Sequence, residues 1–109
     1  MREGEVIVTI LWHANPFRGD KFEDAWTPAA AAALDYGASA WAFLRSKDDP
    51  LDFTQLATFP DKKAFERYWY SEQLSEARAE ASGLYQVPIL PQWLRVVAAG
   101  ELEGAQVER

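Results

Sequence analysis

The sequence predicts an α+β domain in which a four-stranded antiparallel sheet carries two helices on one face, in the order βαββαβ. A β-branched apolar run fills residues 6–14, and two stretches repeat their apolar residues at helical spacing. An acidic turn ending in Pro50 then separates two further strand-like runs. At 109 residues the chain suits one domain, so these elements must share one core. We assign that domain to residues 1–100 and read 101–109 as a polar C-terminal tail.

The first strand is Val6 to Ala14, VIVTILWHA. Val6, Val8, Ile10 and Trp12 share one face, and Ile7, Thr9, Leu11 and His13 the other. Both faces are mostly apolar, which predicts cover on both. Asn15-Pro16-Phe17-Arg18-Gly19 reads as a loop, with Asp20 as the expected helix cap. Phe22, Trp26, Ala30 and Leu34, joined by Ala29 and Ala33, predict a helix over 20–36. Pro28 should kink or restart it with Thr27 as a local cap, and Gly37 should stop it.

Ala38 to Ser46 is the second strand, with Trp41 and Phe43 on one face. Lys47-Asp48-Asp49-Pro50 is turn chemistry, and Asp52 to Phe59 completes a hairpin. Asp61 caps the second helix, whose buried stripe is Ala64, Phe65, Tyr68 and Trp69. Ser71 marks a break, after which Leu74, Ala77, Arg78 and Ala81 lead to a stop at Gly83. The fourth strand spans Gln86 to Ala98, with Pro88 and Pro91 confining its first half to an edge or bulge.

This is the ferredoxin-like arrangement. Its helices cover one sheet face, yet strand one is apolar on both, and no element is left to cover the second. A second copy is the economical cover, so the chain is expected to form a homodimer through its open sheet faces. Trp93 on the last strand would belong to that interface. The alternative is a monomer with one exposed apolar face.

Composition excludes several classes of function. Seventeen acidic against eleven basic residues give a net charge of −6, and Lys62–Lys63 is the only adjacent basic pair. Neither nucleic acid nor an anionic membrane finds a clustered basic footprint here. The absence of cysteine removes disulfides, thiolate metal sites and cysteine nucleophiles. No signal-peptide pattern or membrane-length segment is present, which predicts a cytoplasmic protein. Five Trp in so small an interior must line a pocket, an interface or the core.

Trp12, Trp26 and Trp41 could box a planar aromatic ligand, although Trp26 has the spacing of plain core. Tyr68 shares a helical face with Phe65 and Trp69 and offers a hydroxyl either to a ligand or to the surface. Arg78 could hold an anionic or enolate oxygen, or balance Glu72, Glu76 or Glu80 on a solvated helix. His13 could act as a base toward a phenolic or quinol-type substrate, or, at a strand end, bond backbone or face the dimer partner. A single histidine with no cysteine provides no ligand spacing for a metal, and no phosphate loop or Ser-His-Asp set exists, so no cofactor is expected and no catalytic set can be named.

The stretch Leu44 to Arg78, LRSKDDPLDFTQLATFPDKKAFERYWYSEQLSEAR, resembles the antibiotic-biosynthesis-monooxygenase-like domains of the dimeric α/β barrel superfamily. The shared pattern is a strand, an acidic turn ending in Pro, a strand, a short cap and an "AF" helix start, and the likeness spans roughly residues 5–99. It implies a ligand site between the sheet and its own helices, with Phe59 where relatives often carry Trp and Tyr68 where they often carry His. The haem-degrading branch has Asn, Trp and His at the positions of Ile10, Tyr68 and Arg78, so this chain departs at all three and lacks an axial ligand. The resemblance therefore implies either a cofactor-independent monooxygenase acting on an aromatic or quinol-like molecule, or a non-catalytic dimeric binding or accessory domain.

Overall fold

A computed structural model describes residues 1–102, so most of the predicted tail lies outside the described residues. The elements are β1 (Val6–His13), α1 (Gly19–Ala31) with a 3₁₀ turn (Ala32–Tyr36), β2 (Ala40–Arg45), β3 (Asp52–Phe59), α2 (Lys62–Trp69), α3 (Glu72–Glu80) and β4 (Gln92–Arg95). The strands form one antiparallel sheet ordered β2-β3-β1-β4, as the ferredoxin-like reading requires.

Register decides the two faces. Ile10 lies opposite Gln55, Trp12 opposite Phe53, and His13 opposite Asp52. With a side-chain period of two, Val8, Ile10 and Trp12 therefore join Phe53, Gln55, Ala57 and Phe59 under the helices. Leu11 and His13 join Asp52 and Thr54 on the opposite face. The helix side is a continuous core, with Trp12, Phe22, Trp26, Phe53, Tyr68 and Leu74 all buried. On the other face Leu11, Leu44 and Leu94 remain 62%, 50% and 48% exposed.

Several boundaries differ from expectation for local reasons. Arg18 rather than Asp20 stands at the N-cap of α1, and the Asp20 carboxylate instead accepts from Arg45 at 2.8 Å. Thr27 does not cap a restarted helix; its hydroxyl donates to the Glu23 carbonyl, and α1 runs through Pro28 before tightening to 3₁₀. Gly37 ends that turn at φ 100°, a conformation that suits glycine. β4 covers only four residues, because the segment holding Pro88 and Pro91 has two fewer N–H donors to offer a ladder. Trp93 faces α2, its ring meeting Phe65 edge-on at 5.2 Å, and so is not on the open face.

The second helical segment breaks at Ser71 as expected. Asp61 Oδ1 accepts from the Ala64 N–H at 2.8 Å, and Ser71 Oγ accepts from the Leu74 N–H at 3.1 Å. Asp61→Ala should lower stability by about 1 kcal/mol, read as a shifted urea midpoint with an unchanged slope. An unmoved midpoint would mean that water replaces the cap at no cost.

Candidate functional site

The space between sheet and helices, where the resemblance places a ligand, is filled by side chains that satisfy one another. Gln55 is at its centre, 3% exposed. Its Oε1 accepts from both indoles, Trp26 Nε1 at 2.8 Å and Trp12 Nε1 at 3.1 Å. Its Nε2 donates to the Tyr68 hydroxyl at 2.8 Å, which in turn donates to the Ala29 carbonyl at 2.7 Å. Each of these four side chains thus has a partner for its polar group, and such closed networks fix a core in one arrangement.

The candidate residues therefore part company. Trp12 and Trp26 do meet, with ring centroids 4.6 Å apart, but as packed core beside Phe22, Trp69 and Tyr85 rather than as walls of a box. Trp41 is half-buried against the core and makes no ring contact with either among the described residues. Tyr68 points inward, yet its hydroxyl is spent on Gln55 and Ala29. Burial pushes its phenol far above the usual range, so near neutrality it is a fixed donor and not a base.

Arg78 does not balance Glu72, Glu76 or Glu80 on a solvated helix, and among the described residues it forms no ion pair. Its guanidinium lies over the Trp69 ring, 4.6 Å from the centroid.

His13 points away from Ile10, as alternation predicts. It does not bond backbone; Nδ1 lies 2.5 Å from Asp52 Oδ1, the cross-strand partner set by register. Both side chains are about half exposed. They stand in the wall of a groove of about 530 Å³ that also includes Leu11, Thr54, Val87 and Pro88. The segment closing it is pinned to β1 by hydrogen bonds from Gln86 N–H to the His13 carbonyl and from Asn15 N–H to the Leu84 carbonyl.

Folding also assembles a group that the spacing argument passed over. His13, Asp49 and Asp52 each offer a ligand atom within 4.8 Å of the others. Asp52 is engaged by His13, and Asp49 accepts from the Leu51 N–H at 3.0 Å, so both carboxylates have local uses.

Gln55 and Asp52 are the site residues that sequence reading missed. For Gln55 a signal existed: Phe53, Gln55, Ala57 and Phe59 share one strand face, and a lone amide in an apolar row needs a buried partner. Asp52 read only as the first residue of the third strand, because its partner lies 39 residues away.

No family profile matches the sequence, and no curated protein does. Solved structures do. PA3566 from Pseudomonas aeruginosa superposes with a TM-score of 0.76 at 16% identity, over 90% of this chain and 99% of that one. SnoaB from Streptomyces nogalater, a cofactor-independent oxygenase, gives 0.72 at 18% identity over 92% and 98%. A Caulobacter crescentus protein provisionally named an antibiotic biosynthesis monooxygenase gives 0.74 at 18% identity over 87% and 92%. Among the described residues no helix is long and apolar enough to cross a membrane. At these identities the likeness establishes architecture: the chain has the ferredoxin-like α+β fold of the antibiotic-biosynthesis-monooxygenase-like structures.

Proposed function

We propose that the chain is a homodimeric small-molecule-binding protein. In this reading the groove at the end of β1 takes a phenolic or quinol-like ligand, and His13 ionises it. The observation that carries the reading is the 2.5 Å His13–Asp52 bond in the groove wall. An imidazole that donates Nδ1–H to a carboxylate keeps Nε2 as a proton acceptor, the arrangement a general base needs. The ionised ligand could then react with oxygen directly, as a cofactor-independent oxygenase requires; SnoaB, which shares the fold, is such an enzyme.

The apolar face bearing Leu11, Leu44 and Leu94 supports the dimer, because a second sheet laid on it would bury all three. It would also roof the groove, which lies partly on that face. Light scattering should give twice the chain mass, and Leu11→Glu should shift it toward the monomer, because a carboxylate buried between two sheets has no partner. A monomeric wild type would overturn the dimer.

The functional test is a quinol and anthrone-like panel followed by thermal shift and oxygen uptake. Binding with oxygen uptake that falls about 10²-fold or more in His13→Ala supports the base. Binding without uptake favours a second reading, a non-catalytic accessory domain, to which the closed helix-side interior already lends weight. No binding by any compound would reject the groove as a site.

A further inference from the structure

β4 is an edge strand with only β1 beside it, and a cleft of about 240 Å³ opens between that edge and α2. Lys62, Phe65, Glu66, Tyr70, Pro91 and Trp93 line it, none of which belongs to the His13 groove. Three of the six are aromatic. Trp93 is 38% exposed and Tyr70 72%, so the core does not use their outer faces. The Trp93 and Phe65 rings stand 84° apart and make a right-angled corner. Phe65 is fixed from behind, stacked on Trp69 and edge-on to Phe59, so this wall is set before any ligand arrives.

Lys62 and Glu66 bring one charge of each sign to the same cleft. Four residues apart on α2, they have Cβ atoms about 6 Å from each other. Both are exposed, and among the described residues neither forms an ion pair. A simple cation would meet Lys62 here and a simple anion would meet Glu66, so the charges select a ligand that carries both. The aromatic walls select its cation. A primary ammonium would leave N–H groups without acceptors against rings, whereas a methylated ammonium has none to satisfy and is drawn to ring faces. The volume lies below the roughly 300–1,000 Å³ of sites for drug-sized ligands, so the molecule must be compact.

We propose that this cleft binds a small zwitterion, with its methylated ammonium against Trp93, Tyr70 and Glu66 and its carboxylate on Lys62. The site is independent of the His13 groove, and either can fail without the other. Calorimetry on the full chain tests it with three probes. Glycine betaine carries both charges, 3,3-dimethylbutanoate replaces its nitrogen by carbon, and choline replaces its carboxylate by a hydroxymethyl group. Betaine should bind about fivefold more tightly than either.

Trp93→Leu should erase the preference over dimethylbutanoate, and Glu66→Gln should reduce it. Lys62→Gln should weaken betaine and dimethylbutanoate alike while leaving choline unchanged. Tyr70→Ser changes a residue that is mostly in water, so it should melt with the wild type and still lose at least half the preference. That variant keeps the test decisive if Trp93→Leu fails to fold. His13→Ala should bind betaine as the wild type does. No binding at millimolar betaine, equal binding of all three probes, a preference that survives both aromatic variants, or betaine binding lost in His13→Ala would each overturn the assignment.

Discussion

Gln55→Leu is expected to lower the unfolding free energy by about 3–5 kcal/mol, a large share of the 5–15 kcal/mol typical of a domain. Leucine nearly matches glutamine in volume, so packing is largely spared and the loss is polar. Two indole N–H groups, on Trp12 and Trp26, would be stranded in a region where both residues are 2% exposed or less. Each stranded donor costs about 1–3 kcal/mol. The Tyr68 hydroxyl would lose the Gln55 donor but keep the Ala29 acceptor, so its share is smaller. Urea unfolding monitored by Trp fluorescence measures the effect directly. A change below about 1 kcal/mol would mean that the indoles find other acceptors and that the amide is not the hub described above.

Much of the architecture was legible because local patterns agreed with the global solution. The double-sided apolar character of β1, the acidic turn before β3, and the Ser71 break between α2 and α3 all report backbone requirements that nearby residues meet on their own. β4 was overextended because hydropathy favoured a long strand, whereas the prolines ahead of it removed donors that a ladder needs.

The site was less legible, since its determinants are long-range. Nothing near Trp26 in sequence indicates that Gln55 will receive its N–H, and nothing near His13 announces Asp52. Arg78 misled for a helical reason. Glu76 and Glu80 lie two residues away and Glu72 six, separations that place charges on different faces of a helix and do not favour pairing. The guanidinium is thus left to the core side, against Trp69.

Trp26→Ala supplies the complementary test, because its cost is packing and not polarity. Trp26 is fully buried, stacked beside Phe22 with the rings 11° from parallel, and 4.6 Å from Trp12. Its removal strands no partner: Gln55 Oε1 keeps the bond from Trp12. A loss of about 3–5 kcal/mol is expected, from transfer and from the cavity left behind. That cavity would be lined by rings with one amide oxygen at its edge, the kind of space that stays open and takes up a small aromatic molecule. Indole at ten times its dissociation constant should restore about 1.4 kcal/mol to the variant and nothing to the wild type. 1-Methylindole keeps the ring but replaces the N–H by a methyl group that would crowd the Gln55 Oε1, so it should rescue less well.

If indole stabilises both proteins equally, or neither, then the interior collapses when Trp26 leaves and the helix side holds no latent binding space. If only the variant responds, Trp26 fills space on the helix side that a small aromatic molecule can occupy. The enzymatic question then turns on the groove at His13, where the imidazole paired with Asp52 faces open space.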